Sequence, residues 1–192
     1  EVVRKLSFTG STGVGRKLLA QCAGTVKRTS MELGGNAPFI VFADADLDAA
    51  VDGAMASKYR NAGQTCVCAN RFYVQRDIHD AFCAKLVERV RALKVGDGAE
   101  DGTEVGPLIN QAALDKVSRL LDEAVAGGAR IATGGSNRDG LFFEPTVVAD
   151  VARDASIVRE EIFGPVAPII AFDTEEEVVA AANDTPYGLA AY

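Results

Sequence analysis

The sequence predicts an α/β fold in which a mainly parallel sheet is flanked by helices. Short apolar segments typical of strands alternate with amphipathic segments typical of helices along almost all of the 192 residues. The segments 37–42 and 166–172 are nearly continuous apolar runs, as strands are when both faces of a sheet are covered. No internal repeat and no low-complexity segment interrupts this alternation.

The first elements are a strand over residues 5–9, a glycine turn over 10–15 and a helix over about 14–22, followed by a strand over 26–32. A strand, a tight turn and a helix N-terminus form an anion site, because free amide N–H groups and the helix dipole face one point. The turn matches neither the Walker loop nor G-x-G-x-x-G. An ordinary strand-to-helix turn is therefore an equally good interpretation.

The remaining elements follow from the same patterns. Asp46 caps a helix that runs to about residue 59, and Thr174 caps a final helix over 175–183. The other predicted helices cover residues 78–93 and 111–126, and the other predicted strands cover 71–75, 130–133 and 142–148. The glycine- and acid-rich segment 96–106 is predicted to be a surface loop.

Composition excludes several classes of protein. A net charge of −7 argues against general nucleic-acid binding, which needs a basic face. No apolar run approaches the roughly 20 residues that span a bilayer, and no signal-peptide pattern is present. The four cysteines form neither a disulfide scaffold nor the paired spacing of a zinc site. We therefore expect a cytoplasmic protein with no metal, no membrane partner and no nucleic-acid partner.

The segment 59–71 is organised around Cys66, which lies in a small polar turn containing Gly63. Cys22 and Cys83 fall instead on apolar faces, as structural cysteines do. A thiol in a polar turn can ionise and meet a substrate, although a half-buried small loop residue is the simpler interpretation. The single histidine, His79, lies in a polar run and is predicted to be a solvated helix start, which weakens any cysteine–histidine hydrolase hypothesis.

Four local patterns occur in order along the chain: Phe-Thr-Gly-Ser-Thr at residues 8–12, Met-Glu-Leu-Gly-Gly at 31–35, Gly-Gln-Thr-Cys at 63–66 and Glu-Ile-Phe-Gly-Pro at 161–165. Together they resemble the NAD(P)-dependent aldehyde dehydrogenase family over essentially the whole chain. The resemblance implies that residues 1–33 end a dinucleotide-binding domain and that residues 34–192 form most of a thiol-bearing catalytic domain. Because both ends of the sequence lack closing elements, we expect a partial chain.

The resemblance also implies the chemistry. Cys66 attacks an aldehyde carbon, a hydride passes to the nicotinamide, and Glu32 activates the water that hydrolyses the thioester. A carboxylate suits this task when partial burial tunes it, and such a base explains how a chain with one histidine manages proton transfer. The alternative for Glu32 is a strand-end acid paired to a base. The Cys66 N–H supplies half of an oxyanion hole, whose other half is an asparagine from a region before Glu1.

The cofactor, NADP or NAD, is implied to lie against residues from three parts of the chain. Thr9, Gly10 and Ser11 meet its nicotinamide side and pyrophosphate, Glu161 holds the ribose hydroxyls, and Phe163 packs near the ring. The implied set of cofactor-binding residues is Thr9, Gly10, Ser11, Leu33, Glu161 and Phe163. Outside the family context, residues 161–163 are equally a helix-to-strand turn with a buried aromatic.

The sequence around the thiol is similar to the succinate-semialdehyde dehydrogenase branch, and glutarate-semialdehyde dehydrogenases share much of it. Arg60 is implied to pair with the distal carboxylate of a semialdehyde acid; the alternative is a surface ion pair at a helix end. Cys68 is implied to form a reversible disulfide with Cys66; the alternative is a small core residue.

Two further expectations concern the protein as a whole. By resemblance, the full-length protein forms a homo-oligomer, a dimer or a tetramer, and binds a small semialdehyde. An aldehyde dehydrogenase for another class of aldehyde, with Arg60 serving structure only, is one alternative. The other is that these residues alone form a folded, non-catalytic module.

Overall fold

The computed structural model describes residues 2–192, and its first unit is a two-stranded parallel sheet. Strand β1 (Lys5–Thr9) is followed by helix α1 (Thr12–Ala23) and strand β2 (Arg28–Glu32). The register pairs Thr9 with Glu32, so the two strands end side by side. The carboxyl ends of the two strands therefore bring the turn at residue 10 next to the end of β2, where Gly10 N–H donates to Glu32 C=O at 3.0 Å.

The second unit is a five-stranded sheet covered by helices on both faces. Its strand order is β3-β4-β7-β6-β5, and every pair is parallel except β5 with β6. The elements after β2 are β3 (Ala37–Val41), α2 (Leu47–Lys58), a 3-10 helix (Arg60–Gly63), β4 (Ala69–Gln75), α3 (Arg76–Arg91), α4 (Gln111–Ala126), β5 (Arg130–Thr133), β6 (Thr146–Ala149), α5 (Ser156–Arg159), β7 (Val166–Phe172) and α6 (Glu175–Asn183). The predicted α/β fold with a mainly parallel sheet is confirmed.

The core consists of two apolar layers, one on each face of the five-stranded sheet. Helix α4 covers one face with Leu114, Val117 and Leu120, all buried. Helices α2 and α3 cover the other face with side chains such as Val51 and Leu86. In each covering helix the buried apolar side chains recur three and four residues apart, because residues at that spacing share one side of a helix. The central strands are buried on both faces, which accounts for their continuous apolar sequence.

Several predicted boundaries are wrong for local reasons. Strand β2 begins two residues later than expected because Val26, at φ 50°, belongs to the turn that ends α1. The strand predicted over 142–148 is ordered as a ladder only from Thr146, since Pro145 has no N–H to donate. Helix α1 begins earlier than predicted, at Thr12, because the Ser11 hydroxyl caps it by accepting from Val14 N–H at 3.4 Å. Helix α5 was not predicted.

His79 is the clearest error of sequence interpretation. We expected a solvated helix start, but α3 already begins at Arg76 and His79 is only 5% exposed on its inner face. Its Nδ1 lies 3.0 Å from an Asp80 carboxylate oxygen, and its Nε2 lies 3.9 Å from the Cys83 sulfur. Burial raises the pKa of the Cys83 thiol to about 12, so this cysteine is inert. Cys22 and Cys83 are both buried, as predicted.

Tyr192 connects the edge of the large sheet to the thiol-bearing turn. Its backbone pairs with the free side of β3, because Ile40 N–H donates to Tyr192 C=O at 2.9 Å and Tyr192 N–H donates to Pro38 C=O at 3.0 Å. Its phenol donates to the Val67 carbonyl at 2.7 Å. Within residues 2–192, no helix has the length and apolar character needed to cross a membrane.

Candidate active site

The turn that carries Cys66 is preceded by a left-handed stretch of backbone. Asn61, Ala62 and Gly63 have φ values of 54°, 53° and 73°. Asparagine and glycine tolerate this conformation, whereas an alanine in it costs about 1–2 kcal/mol. Three consecutive left-handed residues reverse the chain at the end of α2. The strained stretch thereby aims the following residues, 64–66, away from the core.

Gln64 fixes the position of this turn. Its side chain accepts from Ile109 N–H at 2.9 Å and donates to Pro107 C=O at 3.3 Å, which ties the turn to the segment before α4. The Asn61 amide donates to Gln64 C=O at 3.0 Å, and Cys68 N–H donates to Thr65 C=O at 3.1 Å. Gln64 therefore fixes the two residues before Cys66 through two hydrogen bonds to the segment before α4.

Glycines allow three chain segments to meet backbone to backbone behind the thiol. A Cβ atom on Gly35 would lie 2.2 Å from the Cys66 carbonyl oxygen, and one on Gly63 would lie 2.2 Å from the Gly164 carbonyl oxygen. Neither distance is compatible with a side chain, because both obstacles are backbone atoms. The Gly-Gly pair at 34–35, the thiol turn and the 161–164 loop thus pack directly against one another.

A buried amide network joins the same segments. The Asn70 side chain donates to the Asn36 side-chain oxygen at 2.5 Å and to Glu160 C=O at 2.9 Å, and it accepts from Ile162 N–H at 2.9 Å. Asn36 in turn donates to Val158 C=O at 3.0 Å. Because buried amides that lose their partners are costly, this network holds the loop before Phe163 in a single position.

These segments enclose a cavity of about 730 Å³. Its lining comes from the ends of β1 and β2, the thiol turn, the first turns of α4 and the 161–163 loop. The lining residues are Thr9, Gly10, Ser11, Glu32, Leu33, Gly34, Gln64, Thr65, Cys66, Ala112, Ala113, Lys116, Glu161, Ile162 and Phe163. Eight residues singled out from the sequence therefore share one cavity: Thr9, Gly10, Ser11, Glu32, Leu33, Cys66, Glu161 and Phe163. Arg60 and Cys68 do not line it.

Cys66 and Glu32 differ in exposure. Cys66 is half-buried, and its amide N–H donates to no other group in the described part of the chain. That N–H is free to serve a substrate oxygen. Glu32 ends β2 and is exposed, so the described residues do not supply the partial burial that would tune its carboxylate.

Glu161 is held at two points on the opposite wall. Its carboxylate accepts from Gly35 N–H at 3.0 Å, and its backbone carbonyl accepts from the Lys116 ammonium at 2.5 Å. A Cβ on Gly34 would lie 2.8 Å from the other carboxylate oxygen, so the approach of this side chain also depends on glycine. Phe163 follows with a left-handed φ of 55°, which turns the loop at the cavity wall.

The residues present fit a nicotinamide dinucleotide. The N-terminus of the twelve-residue helix α1 opens at Ser11 on the cavity wall, where a pyrophosphate would meet amide donors and a favourable dipole. The Glu161 carboxylate can accept from ribose hydroxyls, and Phe163 offers a flat apolar surface. Among residues 2–192, no group of three or more histidine, cysteine, aspartate and glutamate side chains is arranged to hold a metal ion.

Arg60 and Cys68 occupy different surroundings from Cys66. Arg60 is exposed on the 3-10 helix, and its side chain makes no hydrogen bond or ion pair with any described residue. Cys68 is buried at 6% exposure, with its sulfur 3.6 Å from Lys58 C=O and 3.4 Å from Ala69 C=O. All four cysteines are free thiols. The placement of Cys68 matches a small core residue at the entrance to β4.

The fold and the site define a class of protein. The family model described as "Aldehyde dehydrogenase family" matches residues 1–192, and the chain belongs to that family. A solved succinate-semialdehyde dehydrogenase from Burkholderia pseudomallei is 60% identical with a TM-score of 0.98, over 100% of this chain and 40% of that chain.

Curated relatives point the same way. A glutarate-semialdehyde dehydrogenase of Pseudomonas putida is 56% identical over 100% of this chain and 40% of its own length. A probable succinate-semialdehyde dehydrogenase [NADP(+)] of Sinorhizobium fredii is 59% identical over 99% of this chain and 39% of its own length. The chain thus spans about 40% of the length of the relatives it matches. The predicted resemblance to the aldehyde dehydrogenase family is confirmed.

Sequence interpretation missed several residues of the site. Gln64 and Asn70 belong to the segment 59–71 but were given no task, although a polar residue at the start of a buried strand is a signal for a buried hydrogen bond. Lys116 was not singled out from the sequence. No local pattern indicates that its ammonium reaches the Glu161 carbonyl 45 residues away.

Proposed function

We propose that this chain carries the thiol and the base with which an aldehyde dehydrogenase oxidises a semialdehyde to a carboxylic acid. The observation that carries the proposal is that Cys66, Glu32 and the cofactor-binding candidates line one cavity. Succinate semialdehyde is the first candidate substrate and glutarate semialdehyde the second, because relatives with both names are 55–60% identical to the chain.

In the first half of the reaction, the Cys66 thiolate attacks the aldehyde carbon and forms a thiohemiacetal. The developing oxyanion takes the free Cys66 N–H as a donor, and one donor of this kind is worth about 3 kcal/mol in the transition state. A nicotinamide dinucleotide, when bound, accepts the hydride that leaves this carbon. The carbon is then held as a thioester on Cys66.

In the second half, Glu32 activates the water that hydrolyses the thioester. Glu32 lies on the same cavity wall as Thr9, since β1 and β2 end in register. Its carboxylate takes a proton from the water as the water attacks the thioester carbon, and Cys66 leaves as a thiolate. General base catalysis of this kind contributes about 100-fold to 10,000-fold.

Residues from both sheets would hold the dinucleotide, which we propose to be NADP or NAD. Thr9, Gly10 and Ser11 would lie against the pyrophosphate and the nicotinamide side, and Glu161 would bind ribose hydroxyls. The Lys116 contact to the Glu161 carbonyl and the Gly35 contact to its carboxylate would orient that side chain for the task. Leu33 and Phe163 supply apolar surface on either side.

Two cations are candidates for the distal carboxylate of the substrate. Arg60 is the candidate by family resemblance, and a guanidinium binds a carboxylate with two parallel hydrogen bonds. Lys116 is the candidate by position, because it lines the cavity whereas Arg60 does not. An aldehyde dehydrogenase for uncharged aldehydes, with Arg60 outside the site, is the second candidate function that this placement favours.

We further propose that residues 1–33 complete a dinucleotide-binding domain and that residues 34–192 belong to the catalytic domain. The division falls between the two sheets, after β2 and before β3. We also propose that the full-length enzyme is a cytoplasmic homo-oligomer, a dimer or a tetramer.

The test is hydride transfer, followed at the nicotinamide absorbance, in this chain and in a chimera that supplies the remaining sequence of the Burkholderia relative. Each of the four pairs of succinate or glutarate semialdehyde with NADP⁺ or NAD⁺ is measured. We expect turnover in the chimera, complete loss with Cys66→Ala, and a loss of about 100-fold or more with Glu32→Gln. Cys22→Ala, which changes a buried thiol outside the cavity, is the matched control. Turnover that survives Cys66→Ala would contradict the proposal.

A second comparison separates the two cations. In the chimera, Arg60→Gln and Lys116→Gln are compared for KM with succinate semialdehyde and with butanal, an uncharged aldehyde of the same length. The variant that removes the carboxylate partner raises KM for succinate semialdehyde alone, by about 10-fold for a lost charged hydrogen bond. If both variants treat the two aldehydes alike, neither cation binds the carboxylate.

A further inference from the structure

The mechanism above gives no task to Arg71, a buried residue that is always charged. Arg71 lies in β4, five residues after Cys66, and is 1% exposed. Charged side chains are almost never fully buried in proteins unless an opposite charge is paired with them. The side-chain hydrogen bonds of Arg71 to residues 2–192 all go instead to uncharged oxygen atoms. Its positive charge is therefore compensated in another way.

All five N–H donors of Arg71 are engaged. Nε and one Nη donate to the Asn36 carbonyl oxygen at 3.0 and 2.8 Å. The remaining donors go to Ala181 C=O at 3.1 Å, to Ala182 C=O at 3.0 Å and to the Tyr73 hydroxyl at 3.4 Å. A guanidinium has five donors, so none is left for a ligand. Arg71 therefore acts through the groups that it holds.

Two of these groups belong to the end of α6. Ala181 and Ala182 lie in the last turn of that helix, which ends at Asn183. The last four carbonyls of a helix lack regular intrahelical partners and carry the negative end of the helix dipole, which favours a cation. The helix end thus compensates the charge of Arg71 in place of a carboxylate. In return, Arg71 fixes the point at which the chain leaves α6.

Another of these groups, the Asn36 carbonyl, lies next to the wall of the cavity. Asn36 directly follows Gly35, whose N–H donates to the Glu161 carboxylate at 3.0 Å. A Cβ on Gly35 would lie 2.2 Å from the Cys66 carbonyl oxygen, so the backbone here is in close contact with the thiol turn. Because two donors of Arg71 hold the Asn36 carbonyl, this backbone cannot turn or withdraw from the thiol turn without breaking both bonds.

The segment after α6 also contacts this part of the wall. Leu189 follows the last residue of α6 by six positions, and one of its methyl groups would lie 3.6 Å from a Cβ on Gly35. Gly35 is therefore bounded both by the thiol turn and by the segment that leaves α6. Since Arg71 is bonded to the end of α6 and to Asn36, it sets the spacing of the segments that enclose the Gly35 amide.

We propose that Arg71 is a positioning residue for the cofactor. It holds the Asn36 carbonyl against the end of α6 and thereby keeps the Gly35 N–H where it orients the Glu161 carboxylate. This inference rests on the proposed function, in which Glu161 binds the ribose hydroxyls of the dinucleotide. A lysine cannot take over the task, because its three donors lie on one nitrogen, whereas the planar guanidinium presents five donors on three nitrogens.

The first test follows the Gly35 amide in the chimera without dinucleotide. Hydrogen exchange, resolved at single amides by fragmentation mass spectrometry, is compared in the wild type, Arg71→Lys and Arg76→Lys. We expect Arg71→Lys to speed exchange at Gly35 about 10-fold, the effect of a lost charged hydrogen bond, and to affect the Leu120 amide in the core of α4 far less. Arg76→Lys, which changes an exposed arginine paired with Asp173, should leave exchange at Gly35 unchanged. Unchanged exchange at Gly35 in Arg71→Lys, or an equal rise at Gly35 and Leu120, would overturn the positioning role.

The second test couples Arg71 to Glu161 through the dinucleotide. The Kd values for NADPH and NADH are measured from nicotinamide fluorescence in the chimera and in its Arg71→Lys, Glu161→Ala and double variants. We expect Arg71→Lys to raise Kd about 10-fold by itself, but less than about twofold when residue 161 is already alanine, because no carboxylate then remains to be oriented. Arg76→Lys should leave Kd unchanged. Effects of the two substitutions that simply multiply in the double variant would overturn the coupling.

The two tests separate this inference from the proposed function. A chimera that binds neither dinucleotide contradicts the proposed function, whereas exchange at Gly35 is measured without a ligand and still decides whether Arg71 holds the wall. Normal binding and turnover in the chimera, with no effect of Arg71→Lys at Gly35, would overturn the role of Arg71 alone.

Discussion

Gly63 offers the sharpest test of how the thiol turn is held. The substitution is Gly63→Ala, at a residue with φ +73° whose added Cβ would lie 2.2 Å from the Gly164 carbonyl oxygen. The matched control is Gly102→Ala, at φ +78°, where an added Cβ would meet nothing within 4 Å. Both variants incur the left-handed penalty of a non-glycine residue, but only Gly63→Ala forces two backbones apart.

The magnitudes follow from this pairing. The left-handed conformation costs an alanine about 1–2 kcal/mol, which is the whole expected loss for Gly102→Ala. Gly63→Ala adds overpacking against an immobile backbone atom, typically about 1–3 kcal/mol more. The expected loss for Gly63→Ala is therefore about 2–5 kcal/mol, and the difference between the variants isolates the close approach of the thiol turn to the 161–164 loop.

Urea denaturation followed by circular dichroism measures both losses. Equal denaturant slopes would show that the variants change stability and not the surface exposed on unfolding. If Gly63→Ala and Gly102→Ala lose the same free energy of unfolding, the contact between residues 63 and 164 carries no weight and the explanation given for the site's rigidity is wrong.

Three further predictions concern the stability of the folded chain. Asn70→Ala removes the partner of Ile162 N–H and Glu160 C=O and should lower the free energy of unfolding by about 3 kcal/mol. Asn183→Ala, on the exposed end of α6, should lower it by less than about 1 kcal/mol. Equal losses in the two variants would contradict the stabilising role of the buried amide network. Burial lowers the pKa of the Lys58 amino group below its usual 10.5, so at alkaline pH the unfolded chain binds more protons than the folded chain. The free energy of unfolding should therefore rise with pH up to about 10.5, and Lys58→Met should remove that rise. The same slope in both proteins would contradict a neutral buried amine. The hydrogen bond from Arg76 lowers the pKa of the Asp173 carboxyl below its usual 3.8. The contribution of this ion pair to stability is therefore present at neutral pH and is lost as the pH falls through the lowered pKa. Asp173→Asn should lower Tm at pH 7 but not at pH 2, and an equal effect at both pH values would contradict the role of the ion pair.

The sequence was sufficient for the parts of the site that lie at strand ends. Thr9 and Glu32 end two segments that the sequence predicted as strands of a mainly parallel sheet, and parallel strands end at one edge. Their shared cavity is therefore a consequence of the strand register. Cys66 was identified because a thiol in a polar turn can ionise and meet a substrate, and because the surrounding motifs resemble those of aldehyde dehydrogenases. The helices α2 and α4 were equally clear, since their apolar positions repeat at helical spacing.

The remainder depended on contacts between distant residues. Lys58 follows the amphipathic pattern of α2 as a polar end residue, and nothing near it in sequence shows that it is fully buried. His79 has polar neighbours, yet α3 begins two residues earlier than expected and His79 is buried. The left-handed conformation of Ala62 has no sequence signal, because alanine rarely adopts it. In each case tertiary packing overrode the conformation or exposure that the local sequence favours.

The contacts of Tyr192 give the thiol turn a distant reporter. The amide of Ile40 is shielded from solvent exchange only while the Tyr192 carbonyl stays paired with it, and the phenol of the same residue holds the carbonyl of Val67, which stands between the two cysteines of the turn. We expect a motion that releases Val67 to loosen Tyr192 and so to raise exchange at the Ile40 amide. Deuterium uptake at Ile40 therefore measures how often the loop around Cys66 opens, at a position where no label touches the chemistry.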